Sequence, residues 1–555
     1  MRLFRPPFFG DAEPTTPTEI EPVRMAQTLG YVTVGLRVDP DDWQGPSADL
    51  IVQRVLDRVA DINPETRGQI ILLHDAGGYR SQTVAALPRI IDALRAKGLE
   101  IVPVSALAGW TFDQVMPALP PEDRSAIVNW YVFITASWVQ AAMHWLFALA
   151  IGLGLARLVA LCGLAIWSRY RVASPPPLSS SDGVFVSVLI PAFNEAKVIT
   201  DSVERILESG HAKLEVIVID DGSTDDTSDV VRRHFGSDPR VTLITVRNGG
   251  KARAVNTGLG YSHGQVVVAL DADTHFEPDT IARLARWFSD EKIGAVAGNA
   301  KVGNRINLLT RWQALEYITA QNLERRALGA LDCITVVPGA VGAWRRSALV
   351  KLGGFPTDTL AEDQDLTIAI QKAGYRAVFD ADAVAWTEAP DTVAGLAKQR
   401  FRWSFGTLQC LWKHADVTLR PRSGALGLVA LPQAWLFQIV LGLVSPFVDL
   451  LLIVQLIASA SDYVQHGAQF DPTNLEVTLL YYTLFVTVDL ATAVVAFFFE
   501  KRENWQLLWW LVLQRFGYRQ LLYYVLAKSI TAAAKGPLVG WGKLDRKATV
   551  TSGNI

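Results

Sequence analysis

LEVIVIDDGSTDD, residues 214–226, decides how this chain is read. Leu214, Val216, Ile217, Val218 and Ile219 form a short apolar run that breaks off at Asp220 and Asp221. Such a run, closed by acidic and turn residues, reads as a buried strand with polar groups at its carboxyl end. VFVSVLIP (184–191), VTLITV (241–246), QVVVALD (265–271) and IGAVAGNA (293–300) repeat the pattern. EAKVITDSVERILESG (195–210) and DTIARLARWFSD (279–290) have helical spacing between them. This alternation predicts an α/β domain over 184–415 with a mostly parallel sheet. Ligands in such sheets lie beyond the carboxyl ends of the strands, where the acidic motifs fall here.

Outward from this centre the composition changes. Half of the 555 residues are hydrophobic, with 17 Trp, and the mean hydropathy is +0.21. These values suit one water-facing domain joined to a membrane portion. The net charge of −3 argues against a global nucleic-acid binder. Cys162, Cys333 and Cys410 are too far apart in sequence to suggest a zinc cluster or a disulfide framework.

Residues 127–167 are apolar, and 145–167 is long enough for one span, broken only by Arg157. The earlier half holds Asn129, Thr135, Ser137 and Gln140 and reads either as interfacial or as a second span. SRYRVASPPPLSSSDG (168–183) is a basic flank and a Pro/Ser linker, which predicts a cytoplasmic central domain. Within 425–535, the stretches 435–459 and 475–499 read as spans. Residues 505–535 carry QRFGYRQ in their middle and read as interfacial, re-entrant or spanning. The tail, 536–555, is basic.

The strand-end residues have a chemical reading. DADT (271–274) presents Asp271 and Asp273 after a strand, as DDGSTDD presents Asp220 and Asp221. Such aspartates also serve turns and helix caps. Together they suit Mg²⁺ or Mn²⁺ with a diphosphate, because such cations take one or two carboxylates and fill the remaining positions with phosphate and water. NGGKARAVNTG (248–258) adds Lys251, suited to the diphosphate or to the acidic site, without the spacing of a P-loop. Glu362, Asp363 and Asp365 begin a helical pattern. They read either as acids favoured at a helix N-terminus or as the source of a general base.

IPAFNE (190–195), DDGSTD (220–225), GGKARAVN (249–256), DADT, GAVGAWRRSAL (339–349), AEDQD (361–365) and QRFRW (399–403) occur in this order. The region they span resembles the processive, membrane-embedded family-2 glycosyltransferases, among them cellulose, chitin, hyaluronan and poly-N-acetylglucosamine synthases. The resemblance implies a GT-A fold flanked by membrane helices. It implies that Ala192, Asn194, Glu195, Asp220 and Asp221 line a uridine pocket with Lys251 nearby, and that Asp271 and Asp273 serve the diphosphate and metal. It further implies that Asp363, preceded by Glu362, is the base, and that Gln399, Arg402 and Trp403 hold donor and acceptor. Ala361 stands where that family usually has Thr.

The implied activity is a single inverting transfer from a UDP-sugar to a growing β-linked polysaccharide that is extruded through the cell membrane. NAKVGNRINLLTRWQALEY (299–317) looks most like the N-acetylglucosamine-polymer synthases, which makes UDP-N-acetylglucosamine the expected donor. Two other readings remain: transfer of one sugar to a lipid, and a non-catalytic export scaffold. On a helix, Gln399, Arg402 and Trp403 share one face. Arg400 and Phe401 point elsewhere, toward packing or lipid headgroups.

Residues 1–110 resemble the later half of nodulation-type polysaccharide deacetylases, through RLFRPPFFG (2–10), VDPDDW (38–43) and LLHDAGGYRSQTVAALPRII (72–91). The resemblance implies a partial (β/α) barrel in which Arg5, Asp42 and His74 are remnants of a site. His74 is the only histidine before residue 144, so the metal ligands of that family are not expected here and deacetylase activity of this chain alone is not expected. MRLFRPPFFGDAEP (1–14) has no apolar core of the signal-peptide kind. The segment reads as the back part of a longer fusion or as a degenerate domain kept for packing. With one span in 127–167, the deacetylase-like part is expected to be extracytoplasmic.

Overall fold

The computed structural model describes residues 2–5, 17–35, 38–60, 70–75, 80–118, 124–171, 175–466, 472–501, 503–536 and 549. Most of the basic tail expected at 536–555, and parts of the RPP and HDAGGYR motifs, lie outside these residues. The chain forms two compact units, Met1–Val139 and Gln140–Ile555.

In the first unit, β1 (Leu3–Phe4) and β2 (Val32–Thr33) pair in parallel, and a parallel bridge joins Val38 to Ile71. Helices Ala48–Val59 and Ser81–Ala96 bury Ile51, Val55, Ala86, Ile90 and Leu94 against Val38. Among the described residues these strands do not close into a barrel. Two two-residue strands cannot supply the continuous hydrogen-bonded ring that closure needs.

The second unit is built on β3 (Val186–Ala192), β4 (Leu214–Asp220), β5 (Val241–Thr245), β6 (Val266–Ala269), β7 (His275–Phe276), β8 (Ile293–Val302), β9 (Gly342–Arg345) and β10 (Arg376–Thr387). They form one sheet in the order β5-β4-β3-β6-β9-β8-β10-β7. Four pairings are parallel and three antiparallel. The sheet is therefore mixed where a mostly parallel one was expected. The parallel half follows from its connections. Helices Ile199–Leu207, Thr227–Phe235 and Lys251–Tyr261 cross from strand to strand, as parallel neighbours require. The antiparallel strand β9 comes from GAWR, four residues too short to announce a strand by pattern, inserted between β6 and β8. Val188, Ile190, Val216 and Val218 face one buried layer, and Leu189, Ile217 and Ile219 the other. Burial on both faces explains the continuous apolar runs.

Three stretches are long and apolar enough to cross a membrane, by length and composition: Ala148–Ser168, Leu426–Val464 and Thr473–Phe499. The first lies within one helix, Arg124–Arg171. Arg157, the charge that interrupts it, donates to Glu324 at 2.9 Å and lies over the Phe437 ring. Pairing is what makes an arginine tolerable in an apolar span. Residues 505–535 do not form one helix. A turn, Trp505–Leu508, and the helix Trp509–Gln514 are separated from the helix Tyr518–Lys535, and no part is among the three apolar stretches.

The end of the 473–499 helix is anchored to the sheet domain. Ala493, Ala496 and Phe497 share a core with Leu315 and Ile318. Just beyond it, Lys301 of β8 pairs with Glu500 at 3.1 Å and Glu503 at 3.0 Å, and Arg305 reaches Glu503 at 2.9 Å. All four side chains are largely shielded from solvent, so the connection behaves as part of the domain core rather than as a loose tether.

Candidate active site

The carboxyl ends of β3 and β4 are laced together by their loops. Ala192 pairs with Asp220 in the register of the two strands, and Asp221 N donates to the Ala192 carbonyl at 2.8 Å. Asn194 has φ 55°, a left-handed conformation that asparagine tolerates better than most residues. Its Oδ1 accepts from Thr224 N at 2.7 Å and Asp225 N at 3.3 Å, and Glu195 N donates to Thr227 Oγ1 at 2.8 Å. Asp220 is buried, accepting from Ser223 N at 2.8 Å and from the Ser228 hydroxyl. Asp221, also buried, accepts from Gly249 N and Gly250 N, both at 2.8 Å. The GG dipeptide thus presents its amides to a carboxylate and delivers Lys251 as the first residue of the next helix.

Lys251 stands in the acidic site, one of the two places its sequence context allowed. Its Nζ donates to Asp271 Oδ1 at 2.6 Å and lies 3.6 Å from Glu362 Oε1. Burial alone would lower the lysine pKa, but Asp271 and Glu362 outweigh it and hold the ammonium well above its ordinary range. Burial pushes the Glu362 carboxyl up, opposed by Lys251 and reinforced by Asp363. Asp273 is buried two residues after Asp271. The 339–345 segment closes this cluster. Gly339 N donates to Asp363 Oδ2 at 3.0 Å, and a side chain at Gly339 would meet Lys251 Nζ at 2.8 Å. Asp363 Oδ1 accepts from Gln364 N at 2.8 Å.

The three acids of AEDQD separate in role. Glu362 and Asp363 face Lys251 and Gly339. Asp365 turns away and accepts from His414 Nε2 and Lys413 Nζ, each at 2.8 Å. Burial would raise its carboxyl, but these hydrogen bonds hold it below the ordinary range. Asp365 therefore fastens the 362–372 helix to the helix Val393–Lys413.

QRFRW lies on that same 393–413 helix. Gln399 is buried, and Trp403 is 37% exposed with its ring 6.3 Å from that of Tyr317. Arg402 is partly exposed. Of the two roles expected for Arg400, packing or facing lipid headgroups, its burial agrees with packing. It is buried, donates to Glu316 at 2.7 Å and Tyr518 at 3.1 Å, and lies 4.1 Å from the Trp403 ring centroid. Glu316 and Tyr518 lie 84 and 118 residues from Arg400, in stretches singled out for other reasons, so nothing along the chain marked them as its partners.

The departure at Ala361 has a packing counterpart. A Cβ added at Gly406 would meet Ala361 N and Ala361 Cβ, each at 2.7 Å. The QRFRW helix thus approaches the backbone of AEDQD with no room for a side chain. Gly406→Ala is expected to cost about 1–3 kcal/mol through overpacking and to reduce turnover. Thermal unfolding and a transfer assay check this; unchanged values in both would show the contact to be compliant.

Among the described residues no cluster of three or more His, Cys, Asp or Glu side chains could hold a metal alone. Asp271 and Asp273 still fit a hard divalent cation whose remaining ligands are phosphate oxygens and water. Lys251 on Asp271 adds a fixed positive charge beside them.

This arrangement meets its sequence relatives at one place. The family model described as "Glycosyltransferase like family 2" matches residues 183–406. The chain carries a family-2 glycosyltransferase domain. It is a glycosyltransferase related to the poly-beta-1,6-N-acetyl-D-glucosamine synthase of Staphylococcus aureus (strain COL), at 26% identity over 315 residues, 56% of this chain and 72% of that one. The synthase of the same name from Staphylococcus epidermidis is 27% identical over 261 residues, 46% of this chain and 63% of that one. Among solved structures, the mannosyltransferase PcManGT from Pyrobaculum calidifontis, in complex with GDP-Man and Mn²⁺, aligns with a TM-score of 0.44 at 24% identity, over 70% of this chain and 98% of that one. The glycosyltransferase domain has the GT-A arrangement, with its acidic motifs at the edge formed by the carboxyl ends of the parallel strands.

In the first unit, Asp42 is buried and accepts from His74 N at 2.9 Å, His74 Nδ1 at 2.8 Å and Thr83 Oγ1 at 2.9 Å. Burial would raise the Asp42 carboxyl, but these bonds hold it below its ordinary range. Arg5 lies near Asp39, and burial pushes its guanidinium down.

Proposed function

We propose that this chain is a membrane-embedded, processive, inverting glycosyltransferase that extends a β-linked polysaccharide from a UDP-sugar, with N-acetylglucosamine as the sugar. The observation that carries this is the convergence of Lys251, Asp271, Glu362, Asp363 and the Gly339 amide. The aromatic Trp403 stands on a helix packed directly against Ala361. That combination offers charge for a diphosphate, a carboxylate for a proton and an aromatic face for a sugar. The relatedness to poly-beta-1,6-N-acetyl-D-glucosamine synthases supports the choice of sugar.

In the proposed reaction the acceptor hydroxyl oxygen forms a bond to the anomeric carbon as the bond from that carbon to the UDP oxygen breaks. Asp363 takes the hydroxyl proton, and UDP leaves with the bonding pair. Ala192, Asn194, Glu195, Asp220 and Asp221 shape the uridine pocket. Gln399, Arg402 and Trp403 hold the sugars on either side of the reacting bond. Lys251 opposes charge on the departing diphosphate and keeps Asp271 and Glu362 apart from one another's field. Mg²⁺ or Mn²⁺ held by Asp271 and Asp273 would supply Lewis-acid stabilisation of the leaving group. The three apolar stretches and the basic 168–171 flank support a multi-pass protein with a cytoplasmic domain. In the first unit the Asp42–His74 pair supports reading that segment as a deacetylase remnant.

The test is incubation of membranes containing the protein with Mg²⁺ or Mn²⁺ and each of several UDP-sugars, followed by sizing of the product. Polymer from UDP-N-acetylglucosamine supports the proposal. A single sugar on a lipid would replace it with non-processive transfer, and no transfer from any donor would sink it.

A further inference from the structure

QRFGYRQ (514–520) breaks the last apolar stretch, and the active-site reading leaves it unused. Its polar side chains reach in two directions. Arg515, whose side chain is 4% exposed, pairs with Asp449 and Asp489, each at 3.1 Å. Its Nε donates to the Tyr482 hydroxyl at 2.8 Å, and its guanidinium lies 4.1 Å from the Phe485 ring centroid. Arg519 adds a second pairing with Asp489 at 2.8 Å, and Gln520 donates to Asp449 at 3.0 Å. Asp449 and Asp489 lie in two different apolar stretches, Leu426–Val464 and Thr473–Phe499.

In the other direction, Gln514 donates to the Trp312 carbonyl at 3.0 Å. Tyr518 donates to Glu316 and accepts from Arg400 at 3.1 Å. Arg400 in turn lies against the Trp403 ring. Only Phe516 and Gly517 thus separate Arg515, which binds a charge cluster on two apolar helices, from Tyr518, which holds the arginine lying against Trp403. Ionisable groups in apolar spans are costly and are retained where they do something that apolar packing would not. Two aspartates held by two arginines are also geometrically specific, since each guanidinium fork fixes direction as well as distance.

We propose that 514–520 is a positioning element. It couples the Asp449 and Asp489 helices, through Arg515 and Tyr518, to Arg400 and hence to Trp403. The coupling holds the acceptor-side wall in register with the apolar helices, so that a growing chain stays engaged between additions. This rests on the processive reading proposed above. Arg515, Tyr518 and Arg400 are not among the residues that the proposed reaction assigns to donor or acceptor, so the expected defect is in chain retention rather than in bond formation.

The test uses the full chain reconstituted in phospholipid nanodiscs, with UDP-N-acetylglucosamine and Mg²⁺ or Mn²⁺. UDP release and product length are read from the same reaction. Arg515→Met is expected to shorten the product about tenfold while UDP release per folded enzyme stays within about threefold of the unmodified chain. Arg515→Lys, which keeps a charge but loses the fork, should recover part of the length. Tyr518→Phe keeps the ring and the Arg515 pairs, and should shorten the product at least about twofold. It carries the test if Arg515→Met does not accumulate. Unchanged length in Tyr518→Phe, or UDP release and length falling together in Arg515→Met, would overturn the coupling. An unmodified chain that releases UDP but makes only single-sugar products fails the processive reading itself, before any variant is compared, and the inference falls with it.

Discussion

Asp363→Asn is expected to lower transfer by about 10²–10⁴-fold, the range typical of losing a general base, with the protein still folded. The carboxylate accepts from Gly339 N at 3.0 Å through Oδ2 and from Gln364 N at 2.8 Å through Oδ1. An amide keeps one oxygen for one of these donors and turns an NH₂ toward the other. The structural cost is therefore one mismatched hydrogen bond, about 1–3 kcal/mol. The chemical cost is larger, because an amide cannot take the acceptor's proton. Asp365→Asn provides the contrast. Its carboxylate receives Lys413 and His414 and faces away from Lys251, so that variant should lose stability while its folded fraction keeps much of its transfer rate. Turnover and thermal unfolding of both variants decide the assignment. Equal activity of Asp363→Asn and the unmodified chain would remove Asp363 as the base.

Lys251→Met is expected to destabilise the domain by about 3–5 kcal/mol, the cost of leaving a buried partner charge uncompensated. Lys251 is the cation between Asp271 at 2.6 Å and Glu362 at 3.6 Å. Without it, Asp271, Glu362 and Asp363 repel one another across a site already partly shielded from water. Burial and Asp363 already push the Glu362 carboxyl up, and loss of the ammonium pushes it further. Part of the loss should return in the double variant Lys251→Met/Asp271→Asn, since one unpaired charge is then gone. Melting temperature in nanodiscs measures the effect, and the donor KM should rise in parallel because the diphosphate loses a fixed positive partner. A melting temperature unchanged by Lys251→Met would show that water or a neighbouring group already screens the cluster.

Much of the domain was legible along the chain because its signals are local. A strand buried on both faces writes itself as an unbroken apolar run, so β3, β4, β6 and β8 stood out. Acidic residues directly after such strands must lie at their carboxyl edge, whatever else the fold does. The i, i+3, i+4 spacing of Gln399, Arg402 and Trp403 likewise placed them on one face of a helix. What the pattern could not carry was anything whose partner lies far away in sequence. The four-residue β9 takes its place only because β6 and β8 leave a gap for it. Arg157 reads as an interruption until Glu324 is brought beside it.

From its sequence alone this protein read, through its resemblance to family-2 glycosyltransferases, as a glycosyltransferase domain among apolar segments, with its acids at strand ends and its QRFRW on a helix. Those features depend on residue type and spacing within a few turns of chain. Tertiary structure decided which carboxylate Lys251 serves, that Asp365 braces rather than faces the site, and that Arg400 is locked between Glu316 and Tyr518. It also decided that QRFGYRQ, ambiguous as a span, answers the aspartates of two apolar helices. The physical reason is the same in each case. The energy of a buried charge is set by the group beside it, and that neighbour is chosen by the packing of elements 20 to 118 residues apart rather than by the residues on either side.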